Sequence, residues 1–160
     1  MLDPKKTQDD NVTRALDEAA HRRADMYQAI LALEQAAARP AAAREDQWVT
    51  GVIEALAQLE REIIEHIENT EGPGGLFDEI IGIAPRLSHN VRLLRGEHPQ
   101  MLEAASTLKA RLTTEPVRDA RSVDATRDEI QRLLGRLVKH RQRGADLVWE
   151  AYTRDIGGDQ

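Results

Sequence analysis

The stretch VIEALAQLEREIIEHI, residues 52–67, carries the clearest structural signal in the sequence. Its apolar side chains recur every three or four residues, at Val52, Leu56, Leu59, Ile63 and Ile67. This spacing keeps them on one face of an α-helix, because about 3.6 residues complete a helical turn. The stretch therefore predicts an amphipathic helix with one face packed into a core.

Similar stretches on both sides are separated by proline and glycine. Four helices are predicted, over about residues 11–38, 45–70, 80–112 and 123–154. The first follows a polar Asp-Asp-Asn cluster that offers N-cap side chains, and the second ends at a Gly-Pro-Gly-Gly break. The third is expected to bend or restart at Pro85, because proline interrupts the hydrogen-bonding of a helix.

The composition supports an all-α fold. Hydrophobic residues make up 41% of the 160 residues but aromatic residues only 3%, which favours helices over strands. Long helices joined by short links favour an antiparallel up-down-up-down four-helix bundle. We expect one domain over residues 11–156, with a disordered N-terminal tail at 1–10 and a C-terminal tail at 157–160.

Several classes of function are disfavoured. The net charge is −6 with basic residues dispersed among acidic ones, which argues against nucleic acid as a partner. No apolar run is long enough to cross a membrane, and the polar N-terminus makes a cytoplasmic protein the simplest interpretation. The chain has no cysteine, so thiolate metal sites are excluded. No phosphate loop or nucleophile elbow is present, so the sequence does not indicate an enzyme.

Three of the five histidines lie on apolar helix faces. His66 follows Ile63 by three residues, His98 follows Leu94 by four, and His140 follows Leu137 by three. Each comes from a different predicted helix. A single inward histidine is usually a hydrogen-bonded core residue, whereas three of them also suggest a shared polar or metal site.

The other two histidines fit their helix faces less well. His89 lies nearly opposite the apolar face of its helix, which predicts a surface position. His21 lies off the stripe formed by Leu16, Ala20, Tyr27 and Ile30. It can reach a core site only from the flank of the helix.

Four segments resemble the hemerythrin and HHE cation-binding family. They are HIENTE at 66–71, LF at 76–77, EH at 97–98 and LVKH at 137–140. The closing stretch from His140 to Gly158 is similar to a bacterial hemerythrin-like subgroup, and the resemblance covers about residues 15–158. It implies an antiparallel bundle around a non-haem di-iron centre that binds oxygen. In relatives the centre handles nitric oxide or peroxide, or senses oxygen and iron.

The resemblance also implies a ligand set. The family's histidines would fall on His21, His66, His98 and His140. Its bridging carboxylates would fall four residues after the second and last of these, where this chain has Thr70 and Gly144. Glu71 is the carboxylate expected to substitute, since the helix ends at Gly72 and its last turn can loosen. Asp146 is expected to face solvent or form a salt bridge.

Arg141 lies on the predicted core stripe beside His140. A buried guanidinium needs an acidic partner and repels a nearby cation. Two interpretations remain open for it. The side chain extends to solvent from the bundle flank, or it joins an arginine–histidine–carboxylate network with Glu97, Glu71 or Asp155.

Two functions follow. The first is a hemerythrin-like protein with one or two non-haem iron ions, or another metal, that binds or senses oxygen, nitric oxide or peroxide. The second is a degenerate scaffold that has lost the metal and acts as a protein-interaction module. A homodimer is compatible with either.

Overall fold

The computed structural model describes residues 4–154, leaving aside the side chains of residues 4, 8, 15, 19, 20 and 22–24. The described chain is entirely helical apart from its links, which confirms the predicted all-α class. Its elements are α1 (Pro4–Ala38), α2 (Glu45–Glu71), α3 (Leu76–Ile83), a 3-10 turn (Pro85–Leu87), α4 (Ser88–Thr114) and α5 (Ala120–Arg154).

Helix α1 begins earlier than expected. Residues 4–10 are helical, so the predicted start at residue 11 after the Asp-Asp-Asn cluster is replaced by a start at Pro4. Proline suits the first turn of a helix because its missing N–H would have no partner there. Once a helix is nucleated, each added residue costs little, so the polar residues that follow extend it. The predicted tail at 157–160 lies outside the described residues.

The predicted third helix is divided at Pro85, as the sequence suggested. The short α3 ends at Ile83, and α4 starts at Ser88 after the 3-10 turn. The turn before α3 depends on glycine. Gly74 has φ of 69°, and a Cβ on Gly75 would lie 2.8 Å from the carbonyl oxygen of Asn69. This tight turn lets α3 fold back against α2.

Helix α5 starts at Ala120, three residues before the predicted position. The backbone N–H of Ser122 donates to Asp119 Oδ1 at 2.8 Å. An aspartate in this position satisfies an N–H group that the helix itself cannot bond. The cap therefore extends the helix into the polar link.

Each of the four long helices packs against two others, so that the contacts form a ring. Helix α1 packs against α2 and α5, and α4 also packs against α2 and α5. Two ion pairs, each at 2.8 Å, link the 3-10 turn and α4 to α5: Arg86 of the 3-10 turn before α4 pairs with Glu150, and Arg111 near the end of α4 pairs with Glu129. The start of the segment that contains the 3-10 turn and α4 therefore lies near the end of α5, and its end lies near the first half of α5.

The buried apolar residues form two clusters. The larger one contains Leu33, Leu59 and Leu137, and the smaller one contains Phe77, Leu94 and Leu147. Along α4, His98 lies between Leu94 of the smaller cluster and Met101 of the larger one. The junction of the two clusters is where the candidate site lies. Within the described residues, no helix has the length and apolar character that a membrane span requires.

Candidate metal centre

Three helices each place one histidine at the junction of the apolar clusters. His66 comes from the last turns of α2, His98 from the middle of α4 and His140 from the middle of α5. His98 is 0% exposed, His140 is 4% exposed and His66 is half-buried. The inward orientation predicted from helix periodicity is confirmed for His98 and His140, and His66 reaches the same point from the end of its helix.

The imidazole rings are close enough to act together. One ligand nitrogen from each of the three histidines lies within 4.8 Å of the others. The Nε2 atoms of His66 and His140 are 3.1 Å apart. The ring centroids of His98 lie 4.9 Å from those of both His66 and His140. Three nitrogen donors therefore face one small volume.

A hydrogen-bonded chain fixes the orientation of His140. Its Nδ1 lies 2.7 Å from Glu97 Oε2, and Arg143 Nη2 lies 2.7 Å from the other oxygen of Glu97. Because the Glu97 carboxylate accepts, Nδ1 of His140 carries the proton and Nε2 keeps its lone pair. His66 Nε2–H then donates to His140 Nε2. For both Nε2 lone pairs to bind a cation, the proton of neutral His66 must move to its Nδ1.

His98 is held by packing and has little polar compensation. Its ring stacks on Phe77 with centroids 5.7 Å apart and planes at 6°. Nδ1 lies 3.5 Å from Glu71 Oε1, which is long for a hydrogen bond, and neither ring nitrogen has a hydrogen-bond partner among the described residues. Glu71 also pairs with Arg95 at 3.4 Å. The buried nitrogens of His98 are thus available to a cation.

Burial keeps the inward imidazoles neutral. It lowers the pKa of His98 to about 3, and the neighbouring His66 and His140 act in the same direction. Burial also lowers the pKa of His140, although its hydrogen bond to Glu97 opposes this. Neutral imidazole is the form that binds metal, so His98 and His140 need no deprotonation near neutral pH.

A cavity of about 50 Å³ opens beside two of the three histidines. His66 and His140 line it, as do Thr70, Gly144 and Arg141. The rest of its lining is apolar and comes from both clusters, with Met26, Leu76, Phe77, Ile80, Leu94, Met101, Leu137, Leu147 and Val148. Among the described residues no acidic side chain lines it.

The structure does not bring every predicted residue to the centre. The side chain of His21 is 82% exposed and lies 4.0 Å from Asp25, consistent with its position off the apolar stripe. Glu71 lies at the outer edge of His98 instead of between the imidazoles. His89 is exposed, as predicted, and Asp146 accepts a hydrogen bond from Gln142 at the surface.

The arginine–histidine–carboxylate network exists, but with a different arginine. Arg143 pairs with Glu97, whereas the guanidinium of Arg141 lies over the Tyr27 ring, 4.9 Å from its centroid. Arg143 was missed because it follows His140 by three residues and looks like a surface side chain. Its spacing of one turn from His140 was the available signal. Asp155, the third proposed acidic partner, lies outside the described residues.

Comparison of the chain with known proteins found no match. No family model matches the chain, and no curated protein or solved structure is significantly similar to it. The three-histidine group is therefore the feature that bears on function.

The residues present fit a metal ion. Neutral histidines oriented by carboxylates are typical of protein metal sites, because the carboxylate fixes the ring and increases its basicity. Two nitrogens bound to one ion at about 2.1 Å in tetrahedral geometry lie about 3.4 Å apart. The 3.1 Å separation of the His66 and His140 nitrogens is close to this value. The unpartnered nitrogens of buried His98 provide the third donor.

Proposed function

We propose that the chain is a hemerythrin-like protein in which His66, His98 and His140 hold a non-haem metal, iron being the favoured ion. The main support is that three ring nitrogens, one from each histidine, lie within 4.8 Å of one another at the junction of the two apolar clusters. Imidazole suits iron, zinc and copper alike, so the preference for iron comes from the sequence resemblance. His21 is not part of this proposed ligand set.

The proposed fold is an antiparallel up-down-up-down bundle of α1, α2, α4 and α5. The cyclic packing order of these helices supports it, as do the ion pairs that join Arg86, just before α4, to Glu150 late in α5 and Arg111, late in α4, to Glu129 in the first half of α5. Bundle cores commonly build metal sites from side chains of facing helices. In this arrangement α3 covers one side of the centre through Phe77.

The proposed role is to bind or sense a small molecule such as oxygen, nitric oxide or peroxide. A bound metal supplies a coordination position for such a molecule. The surrounding residues limit the size of the molecule and the access of water, because the cavity beside His66 and His140 is small and mostly apolar. Glu97 orients the His140 imidazole by a hydrogen bond to its Nδ1, and Glu71 lies 3.5 Å from Nδ1 of His98.

Metal retention tests the proposal. Protein loaded anaerobically with ferrous iron and passed through a desalting column should retain one or two ions per chain by elemental analysis. His98→Ala should lose most of the metal, because the variant lacks one of three donors. His89→Ala is the matched control on the same helix, and it should retain metal as the wild type does. Equal iron in the two variants would refute the proposed centre.

A second function is favoured by one specific observation. Arg143, Glu97, His140 and His66 form a continuous series of polar contacts that needs no metal ion. A metal-free helical scaffold acting as an interaction module could keep such a network for stability alone. This alternative predicts that the melting temperature does not change when a chelator is added, whereas the metal proposal predicts a marked drop from linkage between binding and folding.

A further inference from the structure

The cavity exists because two small residues stand one helical turn beyond two of the histidines. Thr70 follows His66 by four residues and Gly144 follows His140 by four, so each pair shares a helix face. Both small residues line the cavity. A Cβ on Gly144 would meet nothing within 4 Å, so a longer side chain here has room to enter.

Neither residue supplies a charged ligand. The Thr70 hydroxyl donates to the backbone oxygen of His66 at 2.8 Å, within its own helix. Gly144 has no side chain. A divalent cation held by three neutral imidazoles would therefore keep its full charge on the side that faces the cavity.

The charges around the centre do not cancel this charge. Glu71 is paired with Arg95 and Glu97 with Arg143, so each carboxylate near the imidazoles is already matched by a guanidinium. Arg141 also lines the cavity, with its guanidinium over the Tyr27 ring. With a cation bound, the local charge favours an anion, although the half-exposed arginines are partly screened by solvent.

We propose that the centre binds one divalent cation and that the cavity holds a small monoanion from solution, of the carboxylate class, as a further ligand of that cation. This inference rests on the proposed metal site and specifies what completes it. The anion takes the space that Thr70 and Gly144 leave open.

The cavity sets the size of the anion. A water-sized group needs about 10–15 Å³ of such volume, so a cavity of about 50 Å³ holds roughly three to five heavy atoms. Formate and acetate fit this limit. The apolar lining excludes competing water and strengthens the attraction between the anion and the cation.

The close approach of the imidazoles supports a single ion. His66 Nε2 and His140 Nε2, 3.1 Å apart, are placed to share one ion. In two-metal sites the ions lie about 3.5–4 Å apart and are clamped by shared ligands. The described residues supply no carboxylate between the imidazoles for that purpose, since Glu71 and Glu97 contact Nδ1 atoms of the rings.

The test uses the full chain loaded with Co²⁺, whose visible absorption reports its coordination, and formate as the probe. Metal content is measured first, and formate is then titrated against sodium perchlorate at equal ionic strength. Gly144→Glu provides an internal carboxylate in the cavity. Gly135→Glu is the matched control, because Gly135 is an exposed glycine on the same helix with open space around it.

The wild type and the control Gly135→Glu should each bind one cobalt per chain. Both should show a saturable spectral change when formate is added. Gly144→Glu should keep the metal and bind formate at least about tenfold more weakly. Gly144→Leu, which fills the cavity without a charge, should also keep the metal and lose the formate response. It replaces Gly144→Glu if circular dichroism shows that the latter is misfolded.

The possible failures are distinguishable. A wild type that holds one cobalt but shows no formate response overturns the anion site and leaves the proposed function intact. Two cobalt ions per chain overturn the single-ion inference alone. A formate response that is unchanged in both Gly144 variants places the anion elsewhere. A wild type that retains no cobalt and no iron overturns the proposed function itself.

Discussion

Burying the imidazole of His98 lowers the folding stability of the metal-free protein. Its side chain is fully buried, and its ring nitrogens lack hydrogen-bond partners among the described residues. Leaving a buried polar group unsatisfied costs about 1–3 kcal/mol. Such a cost is expected where a residue is kept for binding and not for stability.

His98→Leu should therefore stabilise the metal-free protein by about 1–2 kcal/mol, since leucine fits the apolar surroundings without polar atoms. The melting temperature in the presence of chelator should rise by roughly 2–4 °C for each kcal/mol. Metal binding should be lost in the same variant. His89→Leu on the exposed side of α4 is the control, and a lower melting temperature for His98→Leu than for this control would contradict the argument.

Glu97 is a positioning residue for His140. Its carboxylate accepts from Nδ1 at 2.7 Å and is itself held by Arg143. Glu97→Gln keeps the shape but removes the charge, so the ring loses basicity and its fixed tautomer. We expect metal affinity to fall about 10- to 100-fold, the usual effect of losing an outer partner of a ligand.

Competition with a chromogenic chelator measures that change in affinity. Glu103→Gln is the control, because Glu103 is an exposed glutamate on the same helix. A Glu97→Gln protein that binds metal as tightly as the control would show that the contact with His140 is structural only.

Helix α1 ends against a side chain of α5. The last carbonyl groups of a helix have no partners within it, and α1 has no basic residue in its last turn. Arg127 supplies the missing donors, bonding the carbonyl oxygens of Ala37 at 2.9 Å and Arg39 at 2.8 Å. It also lies over the ring of Trp48, 5.4 Å from its centroid. One arginine thus ties three helices together at the end away from the histidines.

Arg127→Ala should destabilise the protein by about 1–3 kcal/mol, because charged hydrogen bonds of this kind are worth that much and the packing on Trp48 is lost as well. Urea unfolding followed by circular dichroism measures the loss. Arg136→Ala, at an exposed position of the same helix, should change the free energy of unfolding by less than about 0.5 kcal/mol. Metal content should be the same in both variants, since Arg127 is remote from the centre.

The whole molecule should lose stability in mild acid. Burial lowers the pKa of His98 to about 3 and that of His140 in the same direction, whereas unfolded histidine titrates near 6.5. Above pH 6.5 neither state takes up the proton. Below it the unfolded chain is protonated while the folded protein is not, so stability falls as the pH drops toward 3.

The contribution of His98 to the slope should approach about 1.4 kcal/mol per pH unit. Chelator-treated wild type and His98→Leu are compared by urea unfolding between pH 6.5 and 5, where most carboxylates still carry their charge. The variant should show a clearly shallower decline. Parallel curves would mean that His98 does not titrate as its burial requires.

Local helix geometry was readable from the sequence. The three- and four-residue spacing of apolar side chains located the long helices and the inward faces that carry His98 and His140, and the proline at position 85 located the break. Each of these features depends on residues within a few turns of one helix. The early start of α1 was missed because polar residues give no periodic signal, although they extend a helix at little cost.

The composition of the centre was decided only by the tertiary structure. Glu97 and His140 are 43 residues apart, and their contact depends on the packing register of α4 against α5, which helix periodicity does not specify. The same register selects Arg143 over Arg141 and leaves Glu71 at the edge of His98. The sequence determined which way each histidine faces on its helix. Packing determined which of them meet, because a distance between helices depends on all the side chains between them.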